Sequence, residues 1–382
     1  MSKIKIGIVG FGNMGGGHSL SITSGKTKNV ELVAICDNDP DRLVVAGKKY
    51  PEVKLFDNAD DMYKSGLIDS VLIAVPHYDH PSLAIKAFEC GLHVMCEKPA
   101  AVHTKQVLEM NAAAEKSGKV FGIMFQQRTN PLYQKIRDLI EKNELGKIKK
   151  IIWIVTDWYR PEIYHQSGSW RSTWAGEGGG TIMNQNPHNL DLWQWMFGMP
   201  DKLTSFCSWG KYYNIECEDD VTIYMEYDNG TTGIYTTSTA EAPGTNRLEI
   251  SCDMGKVVAE NGELTFSRNT MSEREFSKTN ERPFGRPEAW ECKIPVKEEN
   301  QAAHSAVLDA FADAISDGKN LIANGVDGIY EMTLSNAIYM SDWLGNTKID
   351  LNNFDHDKYY EMLMEKVKTS KPKSVKKLVV EQ

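Results

Sequence analysis

Residues 4–15, "IKIGIVGFGNMG", decide how this chain is read. A run rich in Ile and Val ends in Gly10-Phe11-Gly12-Asn13-Met14-Gly15, whose glycines have the spacing G-x-G-x-x-G. That spacing recurs in ordinary turns, so its context must give it meaning. The run before it suits a strand buried on both faces, and a helix is expected after it. In such a strand-turn-helix, Gly10 permits the tight turn, Gly12 lets main chain approach a pyrophosphate and Gly15 lets helix and strand pack closely. The start of the helix offers unpaired N–H groups to phosphate oxygens.

The same alternation continues to residue 125. "VELVAICD", "SVLIAVP", "LHVMCE" and "KVFGIM" read as further strands, and "DPDRLVVAGKKY", "HPSLAIKAFECG" and "TKQVLEMNAAAEKSG" as helices. Asp39 before Pro40, and Thr104, are placed as helix starts. This succession predicts an α/β Rossmann domain over residues 1–125, with a doubly wound parallel sheet. Asp37 lies 22 residues beyond Gly15, at the end of the second strand. A carboxylate there accepts hydrogen bonds from ribose hydroxyls and repels a 2′-phosphate, which favours NAD over NADP. Arg42 is read as a solvated residue of the helix beginning at Pro40. Glu97-Lys98-Pro99 closes the strand "LHVMCE", and carboxyl ends of strands face the ligand crevice in an open α/β sheet. The expected cofactor-binding residues are Gly10, Gly12, Asn13, Met14, Gly15, Asp37, Pro76, His77, His80, Glu97 and Lys98.

The 382 residues are enough for two domains that each bury a core, and 41% hydrophobic with 25% charged residues is ordinary globular composition. A net charge of −9 argues against a nucleic-acid partner, which asks for a basic face. Neither a secretory signal nor an 18-residue apolar run is present, so a cytoplasmic protein with no membrane partner is expected. The seven scattered cysteines form no C-x-x-C pair and read as buried, reduced thiols, with no metal site.

Residues 126–382 are expected to form an α+β domain for substrate binding and oligomerisation. "QRTNPLYQKIRDLIEKNELGKI" reads as a linking helix ending near Gly146. "IKKIIWIVTDWY", "TSFCSWGKYY", "DDVTIYMEY", "TGIYTTST", "RLEISC" and "KVVAE" read as strands of a large, mostly antiparallel sheet, with Asp-Asn-Gly, Pro-Gly and Met-Gly turns. Residues 268–300 read as a polar, irregular excursion. Helices are expected over 302–316, 326–344 and 354–368, followed by a Lys-rich surface tail.

Two motifs carry a family resemblance. "GLHVMCEKP" and the downstream "WRSTWAGEGGGTIMNQNPHNLDLWQWMFGMP" resemble the Gfo/Idh/MocA oxidoreductases, and the resemblance extends through nearly the whole chain. Members carry E-K-P after a strand, then a glycine run (here Gly178, Gly179 and Gly180), an acid, a histidine (here His188) and a further acid (here Asp191). This chain has Asn184 where the family commonly has Asp. Residues 184, 188 and 191 would share one face of a continuous helix; alternatively Asn186 caps a fresh helix beginning at Pro187.

The resemblance implies an NAD-dependent dehydrogenase acting on a secondary alcohol of a sugar, glycoside or cyclitol. Its catalytic residues are Lys98, His188 and Asn184: His188 as base, Lys98 as donor to the reacting oxygen, and Asn184 as an orienting group. Tyr159, Trp170, Arg171 and His188 are the expected substrate-binding residues, from a stretch that also holds Arg160, Tyr164 and His165. Family members usually form homodimers or homotetramers through the C-terminal sheet. Two other classes stay open, a redox-neutral enzyme that retains NAD and a nucleotide-sensing regulator on the same fold.

Overall fold

The computed structural model describes residues 3–296, 303–371 and 373. In chain order the strands are β1 Ile4–Val9, β2 Val30–Cys36, β3 Lys54–Phe56, β4 Ser70–Ile73, β5 His93–Cys96, β6 Phe121–Ile123, β7 Ile148–Val155, β8 Lys202–Trp209, β9 Glu218–Glu226, β10 Thr232–Ser238, β11 Asn246–Cys252, β12 Gly255–Glu260, β13 Glu263–Asn269, β14 Ala289–Ile294 and β15 Ile349–Asp350. The helices are α1 Asn13–Thr23, α2 Pro40–Lys49, α3 Ala59–Lys64, α4 His80–Glu89, α5 Thr104–Ser117, α6 Pro131–Glu141, α7 Glu162–His165, α8 Thr181–Asn184, α9 Pro187–Phe197, α10 Glu273–Thr279, α11 His304–Asp317, α12 Gly328–Trp343 and α13 His356–Thr369.

Contacts divide the chain into two compact units. One comprises Met1–Thr129, Gly176–Gly178 and Ala302–Thr333; the other comprises Asn130–Ala175, Gly179–Gln301 and Leu334–Gln382. The first is built on a parallel sheet of order β3-β2-β1-β4-β5-β6, the doubly wound arrangement read from the sequence. Its strands are mostly apolar because both faces are covered, with Ile6, Ile8, Leu72 and Met95 all fully buried, while Lys5 and Glu31 are exposed near the starts of β1 and β2. Local chemistry sets helix ends as expected, with the Asp39 carboxylate accepting the Asp41 N–H at 2.9 Å and Pro40 opening α2. The short β3 and α3 were not anticipated, being too brief to show a period.

The expected division at residue 125 differs from the observed units by a long-range exchange. Helix α11 belongs to the first unit, where Val307, Leu308 and Phe311 join the core formed by Ile6, Ile8, Met95 and Met124. Asp309 at its surface accepts the N–H groups of Lys28 and Asn29. Periodicity announces an amphipathic helix but not the sheet on which it packs.

The second unit holds a nine-stranded sheet of order β14-β13-β12-β11-β7-β10-β9-β8-β15, antiparallel except for the β7–β10 pair. Alternation gives it one inward face with Trp153, Val221, Ile223 and Tyr235 fully buried. Trp193 of α9 stacks on Trp153, and Ser205 of β8 donates to the Ile338 carbonyl of α12 at 2.6 Å.

Four expectations need correction. Residues 268–296 are ordered as the end of β13, α10 and β14, while 297–300 lie outside the described residues. Ser272 caps α10, and Ala289, Trp290, Glu291 and Lys293 of β14 are exposed at the sheet edge, so that strand shows no apolar alternation. Helix α6 stops at Glu141, short of Gly146. Of the tail, 372 and 374–382 lie outside the described residues, but Ser370 donates to Glu216, and Lys373 donates to the carbonyls of His165 and Arg171. All seven cysteines are free, yet only Cys36, Cys96, Cys217 and Cys252 are buried; Cys90 is exposed at the end of α4.

Candidate functional site

In the first unit the crevice lies where strand order reverses, between β1 and β4. Gly10 has φ 91°, and a Cβ there would stand 2.5 Å from the Ala74 carbonyl oxygen. At Gly15 a Cβ would come within 1.8 Å of the Gly10 carbonyl oxygen, so helix and turn touch through main chain alone. Helix α1 begins without a side-chain cap and without an acid in its first turn, and Asn13 and Met14 are exposed there. These first-turn donors are what a pyrophosphate requires. Gly15→Ala is expected to cost about 1–3 kcal/mol of stability and to weaken NAD binding, read by thermal unfolding and nucleotide titration. Wild-type values for both would mean the turn relaxes around the methyl group.

Asp37 is buried, and its oxygens accept the Phe11 N–H at 2.6 Å and the Asp39 N–H at 2.9 Å. It therefore ties the end of β2 to the glycine turn. Arg42 is not simply solvated as expected: its guanidinium lies 3.5 Å from Asp37 and 3.6 Å from Asp39 while its side chain stays half-exposed. The reason is α2 itself, whose first turn brings Arg42 back over its own cap.

Glu97 and Lys98 follow β5, with Glu97 buried and Lys98 half-buried. The Glu97 carboxylate meets the His18 ring of α1 at 2.6 Å and also accepts the Lys98 N–H at 3.2 Å. Burial alone would raise this carboxyl; the hydrogen bond and charge of His18, helped by Lys98 and His304, outweigh it and hold Glu97 down to about 2. The E-K-P turn is thus hydrogen-bonded to the glycine helix. The sequence reading missed His18, whose only signal is a single imidazole in a helix otherwise made of small and apolar residues and hydroxyls.

Pro76 is exposed at the end of the β4 loop, and buried His77 meets the Glu177 carbonyl at 3.1 Å. His80 departs from its expected place in the cofactor set. Its two ring nitrogens are each 2.8 Å from a main-chain carbonyl, those of Pro99 and Val75, and burial lowers its pKa. No ring nitrogen remains for a nucleotide, so His80 supports the Lys98-Pro99 turn from beneath.

The remaining predicted residues belong to the second unit. His188 is buried in the first turn of α9, its ring nearly parallel to that of Trp158 at 6.4 Å. Asn184 ends α8 and is half-buried. Of the two geometries left open, the chain adopts the fresh start at Pro187. Asn186 precedes the new helix but does not cap it; its amide donates to the Thr181 carbonyl at 3.1 Å and its oxygen accepts from Tyr235 and Thr237. Asn184 and His188 therefore do not share one continuous helical face.

Trp170 and Arg171 come together with Tyr164. The Arg171 guanidinium sits 4.5 Å from the Tyr164 ring centre and 4.4 Å from that of Trp170, and it donates to the Tyr164 hydroxyl at 2.7 Å. Gln185 donates to the same hydroxyl at 2.8 Å. Arg160 lies 5.1 Å from the Tyr164 ring on its own account, and Tyr159 is exposed. His165 is buried, bonded to Ser172 at 2.8 Å, and pushed down to about 4 by burial and by the cations Lys373, Arg171 and Arg160. Among the described residues no helix is long and apolar enough to cross a membrane.

Known proteins resemble this chain in both of its parts. Residues 4–125 match the family described as oxidoreductase, NAD-binding Rossmann fold, and residues 133–258 match the GFO/IDH/MocA C-terminal domain. Inositol 2-dehydrogenase of Corynebacterium glutamicum (strain R) is 32% identical over 150 residues, 39% of this chain and 44% of that protein. D-glucoside 3-dehydrogenase of Escherichia coli (strain K12) is 28% identical over 200 residues, 52% of this chain and 55% of that protein. The chain thus spans about half the length of the curated relatives it matches. Among solved structures, the WlbA dehydrogenase from Bordetella pertussis, in complex with NADH and UDP-GlcNAcA, matches with a TM-score of 0.77 at 25% identity over 92% of this chain and 100% of that one. With a doubly wound nucleotide unit and both family domains matched, the chain belongs to the Gfo/Idh/MocA family of oxidoreductases.

Proposed function

We propose that the protein is an NAD-dependent dehydrogenase acting on a secondary alcohol of a sugar, glycoside or cyclitol. The observation that carries this reading is the buried Glu97–His18 hydrogen bond, which holds the lysine of E-K-P to the glycine helix that receives the nucleotide. The names of the relatives, an inositol and a D-glucoside dehydrogenase, support the substrate class. Bound nicotinamide supplies the hydride acceptor. His188 takes the hydroxyl proton, an imidazole being suited to base work near neutral pH. Lys98 donates a hydrogen bond to the same oxygen as alkoxide charge develops. Asn184 orients substrate or imidazole without raising the imidazole pKa as a carboxylate would. Arg171 and Trp170 offer a donor fork and a flat apolar face, the two elements that polyol recognition needs, and exposed Tyr159 is a further aromatic candidate.

Asp37 supports NAD as the cofactor, although Arg42 beside it reduces the penalty for a 2′-phosphate. The test is formation of reduced nicotinamide when purified protein meets NAD or NADP with a panel of inositols, hexoses and glycosides. Turnover with one substrate class and a preference for NAD is expected. Silence across the panel, with NAD retained by the purified protein and released on denaturation, would replace this reading by a redox-neutral cycle.

The outward face of the nine-stranded sheet supports a homodimer or homotetramer. Register sets Phe206, Thr222, Thr236 and Ile154 in one cross-strand row and Thr204, Tyr224, Ile234 and Ile152 in the next, with Phe206 and Tyr224 exposed. Sedimentation equilibrium is expected to give two or four copies; a monomer at micromolar concentration would overturn this.

A further inference from the structure

Glu218 opens β9 and is fully buried. One carboxylate oxygen accepts the Gly180 N–H at 3.0 Å, and the other accepts the Ile182 N–H at 2.7 Å and the Tyr339 hydroxyl at 2.8 Å. Gly180 and Ile182 are the cap and second residue of α8, a single turn with no side-chain acceptor at its own cap. The opening N–H groups of any helix lack intrahelical partners, and one turn has little intrinsic stability. Glu218 therefore supplies from a neighbouring strand what an N-cap residue supplies locally. It does so in the stretch that carries Asn184 and runs on to His188.

The far end of that stretch is held in the same way. Asn186 is gripped by the Tyr235 and Thr237 hydroxyls of β10 and by the Thr181 carbonyl. Adjacent strands β9 and β10 thus clamp the segment 180–188 at its start and at its break. A buried carboxylate carries a desolvation cost, offset here by three donors, the Gly180 and Ile182 N–H groups and the Tyr339 hydroxyl, which an apolar residue would leave unpaired. Two of these donors are main-chain groups whose position sets where Asn184 and His188 stand.

We infer that Glu218 is a positioning residue for Asn184 and His188, anchoring the main chain of α8 from β9. This rests on the reading of His188 as the base. In Glu218→Gln one oxygen remains an acceptor while the new amide group faces an N–H or hydroxyl donor, so one anchor is lost at nearly constant volume. Displacement of catalytic groups by a fraction of an ångström lowers kcat more than it changes KM.

The test uses the full chain and two readouts. Glu218→Gln is expected to shift the His188 imidazole NMR signal, assigned by its disappearance in His188→Ala, and to lower kcat about 10- to 100-fold. Affinity for NAD and substrate KM stay near wild type. If Glu218→Gln does not fold, Glu218→Asp keeps the charge but withdraws it from α8, and the same changes are expected. An unmoved His188 signal with wild-type kcat in a folded variant would overturn the inference. Failure of the wild-type protein to oxidise any alcohol would instead count against the dehydrogenase reading, while the imidazole signal still decides the role of Glu218.

Discussion

His188→Ala is expected to lower kcat by roughly 10²-fold or more, with NAD affinity unchanged. Hydride cannot leave a carbinol carbon unless its hydroxyl proton is taken up, and an imidazole is the side chain best matched to that task near neutral pH. His188 sits in the first turn of α9, where Leu190, Leu192 and Trp193 supply the buried contacts that hold the helix. Truncation of the ring leaves those anchors in place, so the variant folds and the loss is read in turnover. Single-turnover reduction of NAD separates this from slow product release. A wild-type rate of hydride transfer would remove His188 from the mechanism.

Lys98→Met is expected to lower kcat by a comparable amount, about 10²- to 10³-fold. The substitution keeps the length and apolar stem of the side chain while deleting the donor proposed to stabilise developing charge on the substrate oxygen. Its neighbours are unaffected: Glu97 keeps its hydrogen bond to His18, and His80 keeps both carbonyls beneath the turn. Nucleotide binding therefore remains, which distinguishes this variant from Gly15→Ala. Loss of NAD affinity with intact turnover at saturating NAD would show that Lys98 serves the cofactor instead.

Much of the fold was legible because it rests on short-range rules. The strand-turn-helix at residues 4–15 and the Asp39-Pro40 cap follow from local spacing, and the structure has both. The doubly wound order followed from repetition of that unit. The ordered stretch 268–296 escaped notice because β14 is an edge strand, where neither face needs to be apolar and no alternation is imposed. Helix α11 was recognised as a helix, but its place against Ile6 and Ile8 depends on a surface nearly 300 residues distant in sequence.

The candidate site divides in the same way. Glycine spacing, an acid at the end of the second strand and the E-K-P turn are determined by sequence alone, because each needs particular residue types at fixed separations along one chain segment. Tertiary structure decided how those groups are held. It paired Glu97 with His18, turned both nitrogens of His80 toward main-chain carbonyls, and brought Glu218 to the start of α8. A buried polar side chain must find partners wherever the fold brings them, and those partners lie from 5 to 121 positions away. Spacing along a sequence carries no record of such meetings, whereas the need to satisfy every buried donor and acceptor settles them once the chain is packed.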